Sequence, residues 1–295
     1  MNAQNHRRLA DKLFDIGNYT FMIGLSLLFL YPFWDLLMLS LTAPAYVDRL
    51  GLRFWAHGFN LDSYRQVFRS DIISYAYANT VFRTVVGAGL TVLVTLGAAF
   101  ALSQRKLPLR NTITLYILLT MFFQGGLIPS YLNMKSLGLI GSKWSLILPS
   151  LANAWYIILA RNFLMTFPKE LEESAIVDGA NPLQVAYRIL LPLSMPIVAV
   201  IALWSAVSHW NAWFDAMIYL RDKHDYVLQL LVQKILQQDR IDPTNTGTYI
   251  QITSQVTSQT IKAATIIAAT LPIILVYPFL QKYFVKGVMV GSLKG

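Results

Sequence analysis

Six long apolar stretches organise the chain, at about 19–39, 75–102, 112–134, 145–167, 193–218 and 262–284. Each holds the ~20 apolar residues that carry a helix across a hydrocarbon core. Polar, charged and proline-containing segments separate them. The pattern predicts an all-α polytopic membrane protein with six transmembrane helices, read as one domain over residues 1–295. Arg7, Arg8 and Lys12 precede the first stretch, and Ala43-Pro44-Ala45 after it has the look of a cleavage site. The stretch is longer than the ~7–15 apolar residues of a signal peptide, so an uncleaved span is expected. Two intervening segments, 40–74 and 220–261, are too short and too polar to build cores of their own. Within the second, the run VLQLLVQKILQ (227–237) reads as an amphipathic helix, lying against the membrane or a partner or else simply packed.

Composition agrees with this class. Of 295 residues, 55% are hydrophobic and 13% charged, with a mean hydropathy of +0.49. A soluble domain carries about 25% charge. The balance argues against a soluble enzyme, a disordered tail or a disulfide scaffold. The sequence has no cysteine, hence no disulfide, thiolate metal site or cysteine nucleophile. Four scattered histidines (His6, His57, His209 and His224) form no evident metal cluster. The net charge of +9 comes from 24 Lys and Arg against 15 Asp and Glu. In so apolar a chain it reads as loops held inside against anionic lipid, not as a nucleic-acid surface.

The basic residues set an expected orientation. Arg7, Arg8 and Lys12 lie before the first span. Arg105, Lys106 and Arg110 lie between the second and third, and Lys282, Lys286 and Lys294 at the C-terminal end. Positive charge near span ends marks the cytoplasm, so both termini are expected inside. The opposite loops hold Arg49, Arg53, Arg65, Arg69, Arg221 and Lys223, interspersed with Asp48, Asp62, Asp71, Asp222 and Asp225.

The loop at about 167–192 is the most informative segment. All three glutamates of the chain, Glu170, Glu172 and Glu173, fall in it. Pro168 and these acids suit a first helical turn, where negative charge complements the helix dipole. Gly179 suits a left-handed helix stop. Asn181 then caps a second helix with Pro182 in its first turn. Pro192 follows, and Pro196 opens the fifth span. The expectation is two short helices at an angle, with Ser174 and Ala175 exposed for close approach.

The spacing carries a resemblance. Glu173-Ser174-Ala175, three residues, Gly179, nine residues, Ile189, one residue and Leu191-Pro192 resemble the "EAA" signature of ABC-importer permease subunits, E-A-A-x3-G-x9-I-x-L-P. Ser174 replaces the first alanine, small for small. The segments 121–132 (MFFQGGLIPSYL), 209–220 (HWNAWFDAMIYL) and 277–295 are similar to carbohydrate permeases of the maltose type. They are most similar to the branch for complex and uronate-containing oligosaccharides. The resemblance implies a type I importer permease in the bacterial cytoplasmic membrane. Its partners would be a second permease subunit of six or more spans, two ATP-binding subunits and an extracytoplasmic solute-binding protein. It assigns Glu173, Ser174, Ala175, Asp178, Gly179, Ile189, Leu191 and Pro192 to coupling with the ATPase. No P-loop is present, so ATP and Mg belong to partner subunits. This chain is expected to hold no cofactor, metal or catalytic residue.

A sugar path needs hydrogen-bonding groups and aromatic faces. On an unbroken fifth span Trp204, Ser208, Asn211 and Asp215 fall on one face, with Trp213 beside them. Trp210 and Trp213 also suit an interfacial belt. In the third span Thr120, Gln124 and Tyr131 share a similar face, interrupted by Gly125-Gly126 and Pro129. Arg83 and Lys262, near the outer ends of the second and sixth spans, are expected to snorkel, or else to attract an acidic sugar. Two other readings remain: an ABC permease for another solute class, and a self-sufficient secondary transporter. The second would require inverted repeats and midplane carboxylates, which the sequence does not display.

Overall fold

A computed structural model describes residues 9–48, 51–168, 170–241 and 256–292, with side chains for 11–48, 51–168, 170–237 and 256–276. Arg7, Arg8, Arg49 and Lys294 lie outside the described residues, as do the side chains of Lys282 and Lys286. The described elements are helices: α1 (Leu9–Ser40), α2 (Asp62–Arg69), α3 (Asp71–Ser103), α4 (Arg110–Phe122), α5 (Leu127–Ser136), α6 (Ala154–Leu164), α7 (Glu170–Val177), α8 (Pro182–Leu193), α9 (Met195–Asn211), α10 (Phe214–Tyr219), α11 (Leu228–Ile241) and α12 (Ser258–Ser292). The chain divides into two compact units, Asp71–Lys234 with Ala269–Gly295, and Met1–Ser70 with Ile235–Ala268.

Three stretches, Asp11–Ser40, Asp71–Ser103 and Ser258–Val276, are single helices long and apolar enough to cross a membrane. Two more qualify as bent pairs: α4 with α5, at 116°, and α8 with α9, at 80°. The expected third span is therefore broken. Gly126 sits at φ 84°, ψ −179°, a conformation that residues with a Cβ avoid. The expected fourth span, 145–167, is not one long helix either. It opens with 3₁₀ turns at Lys143–Leu146 and Leu148–Ser150, and α6 has only 11 residues. That is about 16 Å of helix, short of a ~30 Å hydrocarbon core. Asn153 sets its late start, its side chain accepting from the Tyr156 N–H at 3.2 Å.

In the smaller unit α1 is apolar all round and almost wholly exposed, with Phe14, Phe21, Leu28 and Phe29 uncovered. A helix of that kind suits a lipid or protein surround rather than water. Its end is tied to the segment that follows. Arg53 pairs with Asp35 at 3.5 Å and donates to the Val47 carbonyl at 2.8 Å, while Trp34 Nε1 donates to the Phe54 carbonyl at 3.0 Å.

The larger unit is built on α3. Ile73, Ala76, Thr80, Arg83, Gly87, Thr91, Thr95, Ala99 and Leu102 are buried, a stripe at helical spacing. Small residues dominate it, which lets neighbouring helices approach closely. The closest approach is at Gly87, where a Cβ would lie 2.5 Å from Nε2 of the buried His209 on α9. The 227–237 run is simply packed. Val227, Leu228, Leu230, Leu231, Val232 and Ile235 are buried, and α11 is a core helix.

Gly87→Ala should lower stability by about 1–3 kcal/mol through overpacking against the histidine ring. Gly89→Ala, where no atom lies within 4 Å, should be neutral or slightly stabilising. Thermal denaturation of the two detergent-solubilised variants checks the contrast, and equal midpoints would refute the close contact.

Candidate functional site

The loop between the fourth and fifth apolar stretches folds as its local signals direct. α7 begins with the three glutamates and ends at Gly179, whose φ is +86°. The Ala180 N–H reaches back to the Ala175 carbonyl at 2.9 Å, and the Gly179 N–H to the Ile176 carbonyl at 3.0 Å. Those two bonds define a Schellman stop. Asn181 and Gln184 then cap each other's backbones reciprocally, both at 2.8 Å, so α8 opens with a capping box. The expected helix–turn–helix is present. The Gln184 half of the box lies beyond the Asn-Pro pair that signals the cap in the sequence, three residues after Asn181. From Val185 to Leu190 the second helix widens to a π-helical turn before Pro192.

One expectation at this loop is corrected. Ser174 is exposed, but Ala175 is buried, in a cluster with Ala99 of α3, Ala160 and Leu164 of α6, and Ile197, Val200 and Ile201 of α9. The helix docks through this alanine, so its outward surface is formed instead by Leu171, Glu173, Ser174, Ile176, Val177 and Asp178. Ile189 is half-buried against the same cluster, whereas Leu191 and Pro192 are exposed. The connection after α3 lies at this end too. Arg161 Nε donates to the Leu102 carbonyl at 3.2 Å, and Arg110 contacts Met165 Sδ at 3.4 Å.

The candidate pathway residues of 208–215 lie toward the other end of α3, where Asp215 meets Arg83. α9 stops at Asn211, and α10 begins at Phe214. Trp204, Ser208, Asn211 and Asp215 are therefore not on one continuous helical face, because the wheel is interrupted at Ala212–Trp213. The break makes a shallow groove of about 560 Å³ lined by Val207, Ser208, Asn211, Ala212, Trp213, Phe214 and Asp215. It gathers four of the expected residues. Trp204 is outside it, half-buried against Tyr156 with ring centroids 6.1 Å apart. Tyr131 of α5 stacks on Tyr219 at 6.4 Å, and both pack in a cluster that Trp213 also joins. Gln124 is exposed in the break between α4 and α5, so it does not share a helix face with Tyr131. Trp210 is not in an interfacial belt. It is buried, and its Nε1 donates to the Ala269 carbonyl at 3.1 Å.

Arg83 does not snorkel. It is 4% exposed and forms an ion pair with Asp215, while also donating to the carbonyls of Ala212 (3.1 Å) and Leu146 (3.3 Å). Lys262 is half-buried.

No family model matches the chain. Full-length relatives do. Over 292 residues it is 38% identical to the polygalacturonan/rhamnogalacturonan transport system permease protein YtcP of Bacillus subtilis (strain 168), covering 97% of this chain and 100% of that one. The chain belongs to the permease subunits of carbohydrate ABC importers. It is also 37% identical to protein LplC of the same organism over 290 residues, with 98% of each covered. The crystal structure of a bacterial ABC transporter involved in the import of the acidic polysaccharide alginate contains a chain with a TM-score of 0.88 and 31% identity. That match covers 95% of this chain and 100% of the other. A chain in the bacterial alginate ABC transporter in complex with alginate pentasaccharide-bound periplasmic protein shares the fold, at a TM-score of 0.56 and 16% identity. This permease is thus a multi-pass membrane subunit.

Beside the groove, a polar loop is fastened by residues that the sequence did not single out. Buried Asn79 of α3 donates through Nδ2 to the carbonyls of His224 (2.7 Å) and Tyr226 (3.1 Å). Thr80 Oγ1 accepts from the Leu228 N–H at 2.8 Å, satisfying a donor at the start of α11. Lys143 pairs with Asp225 at 3.5 Å, and Tyr75 meets the His224 ring edge-on at 5.3 Å. The backbone and ring N–H groups of His224 hold the exposed Asp222 carboxyl below its usual range. The available signal was an amide placed in an apolar span, since such a group needs a buried partner.

Asn79→Ala should free this loop. Two lost hydrogen bonds, about 1–3 kcal/mol, correspond to roughly tenfold faster local opening. Trypsin cleavage at Arg221 and Lys223 measures it, and an unchanged rate would show that the loop is held elsewhere.

Proposed function

We propose that this permease is one transmembrane half of an ATP-driven importer that carries an oligosaccharide into a bacterial cell, itself performing no chemistry. The observation that carries the reading is the arrangement along α3 and α9. The capped loop with the EAA spacing packs at one end, and the polar, aromatic groove opens at the other. From Arg83 to Ala99 is 16 residues, about 24 Å of helix. A subunit that receives force at one side of a membrane and handles solute toward the other needs that separation. ATP and Mg would be held by two partner subunits, whose closure biases the two permease halves between inward-open and outward-open states.

Three features support the assignment of roles. The outward surface of α7 presents exposed Leu171, Ile176 and Val177 among carboxylates, and Val177 is 87% exposed. Exposed apolar side chains on a water-facing loop suit a protein partner. We assign this surface, with Glu173, Ser174, Asp178 and Gly179, to the ATP-binding subunit, and buried Ala175 with Ile189 to fixing the loop on the bundle. Arg105, Lys106 and Arg110 share this end of α3, which supports a cytoplasmic loop and cytoplasmic termini in the inner membrane. The groove supplies hydroxyl, amide and indole groups from Ser208, Asn211 and Trp213, the means by which sugar hydroxyls and ring faces are recognised. Its lining contains no lysine or arginine. The polygalacturonan and rhamnogalacturonan named for YtcP and the alginate named for the structural neighbour support an oligosaccharide, uronate-containing ones included. A second permease subunit and an extracytoplasmic solute-binding protein complete the assembly.

The absence of native cysteine makes the coupling role directly testable. A short thiol cross-linker should join Ser174→Cys to a cysteine on an ATP-binding subunit in inverted membranes. Labelling from the cytoplasmic side without such an adduct would remove the coupling assignment. Gly179→Val places a β-branched residue at φ +86°, a strain of about 1–3 kcal/mol. Uptake should fall while membrane insertion is retained. Asn211→Ala should lower uptake about tenfold, the equivalent of one lost polar contact, with the ATP-binding subunits still attached. Normal uptake by this variant would make the groove a structural feature.

A further inference from the structure

Arg83 is the only charged residue of α3 beyond its first, and it is buried. Two of its three acceptors share a feature. Ala212 follows the last turn of α9, and Leu146 ends the turn at Lys143–Leu146. Their carbonyls lie at helix C-termini, where backbone oxygens lack intrahelical partners and where a cation complements the dipole. Asp215, the third acceptor, lies in the first turn of α10, and its Oδ1 also accepts from the Ala216 N–H at 2.8 Å. A single guanidinium therefore holds both sides of the break in the fifth span, and fastens them to the turn that precedes α6.

The groove is the other surface of this same break. Ser208, Asn211 and Trp213 project from backbone that ends or begins at the atoms Arg83 grips. Asp215 is 30% exposed against 4% for Arg83, so the carboxylate stands between the guanidinium and the groove. His209, locked against Gly87, anchors α9 one turn earlier. With Asp215 and two carbonyls as ligands, Arg83 has a geometry for fixing backbone and little for meeting a solute.

We propose that Arg83 is a positioning residue for the substrate groove: by capping the 212–215 break it sets where Ser208, Asn211 and Trp213 stand, and it does not itself bind the substrate. This rests on the groove reading above. It also gives a definite consequence for acidic sugars. Arg83 acts equally on neutral and uronate-containing substrates, and recognition of a carboxylate by this half does not pass through it.

The test uses the complete complex of permease pair and ATP-binding subunits. Reporter cysteines are introduced as Asn211→Cys in the groove and Ser174→Cys on the distant loop, each combined with Arg83→Lys or Asp215→Asn. The rate of labelling by a methanethiosulfonate reagent needs no knowledge of the sugar. It should change about fivefold or more at the groove reporter, as local order is lost, and stay within about twofold at the loop reporter. Where Arg83→Lys fails to assemble, Asp215→Asn, which neutralises the ion pair and puts an amide NH2 in place of one carboxylate oxygen, carries the measurement. In proteoliposomes with binding protein, half-saturation for a galacturonate tetrasaccharide and for its carboxyl-reduced neutral form should rise together, by about tenfold. The maximal rate should change much less. An unaltered labelling rate at the groove reporter in both variants overturns the proposal. So does loss confined to the acidic sugar, which would make Arg83 a direct ligand. So does a lowered denaturation temperature with neither readout moved, which would make the pair structural only. If Asn211→Ala alone leaves uptake normal while the groove reporter still responds to Arg83, the groove reading fails and the positioning role stands.

Discussion

Backbone carbonyls at a helix end must find donors, and in the interior of a membrane protein water is not there to supply them. This chain stops helices inside its apolar segments at several points, and its most consequential stop is met by Arg83. The guanidinium reaches the carbonyls of Ala212 and Leu146 together with the Asp215 carboxylate. A buried cation costs several kcal/mol unless its partners are well placed. Here two of the three partners are carbonyls that helix ends leave unsatisfied, so one residue answers two requirements. The end of the fifth apolar stretch can turn away from regular helix because α3 supplies the donor its backbone lacks.

The consequence is a polarity along the larger unit. At the C-terminal end of α3, Ala99 packs with Ala160, Leu164 and the Ala175 of the loop. Toward its N-terminal end, Asn79 and Thr80 fasten the 224–228 segment, and Arg83 fastens the break. α9 runs between the same two regions. Ile197, Val200 and Ile201 join the loop cluster, and Ser208 and Asn211 line the groove. Seventeen residues of helix, about 26 Å, connect the loop cluster to the groove. Between them Gly87 admits the His209 ring, so α3 and α9 are in contact where small side chains allow no slack.

How much of this was legible in the sequence follows from the range of the interactions. The loop was readable almost residue by residue, because a left-handed glycine, an Asn-Pro cap and acids in a first turn act within four positions. Apolar runs gave the membrane class and the all-helical fold for the same reason. The interruption at Gly125-Gly126 was readable from its glycines, but the other breaks were not. A hydropathy window measures composition and is blind to the direction of the backbone, so 145–167 reads as a span although Asn153 caps a short helix that starts late. The one-face expectation for Trp204, Ser208, Asn211 and Asp215 assumed an uninterrupted helix and fell at Ala212. Arg83 and Asp215 are 132 residues apart. Each could be recognised as costly alone, but their pairing is a property of the tertiary fold. Ala175 shows the same limit on a smaller scale: a short helix has a buried side as well as an exposed one, and spacing alone did not say which alanine faced inward.

That burial accounts for the one position where the loop departs from the family spacing. Of the two small residues after Glu173, Ala175 is the buried one, in the apolar cluster that contains Ala99, Ala160 and Ile201. Serine there would bring a hydroxyl into an apolar cluster, away from water. Ser174 is on the exposed side, and its Oγ returns to the Glu170 carbonyl at 2.6 Å, so the hydroxyl is satisfied within its own helix. It adds almost no bulk to the outward surface and asks nothing of whatever meets it. Position 175 is constrained by packing inside this chain, whereas position 174 needs only to stay small, so the alanine that is retained is the one the fold requires.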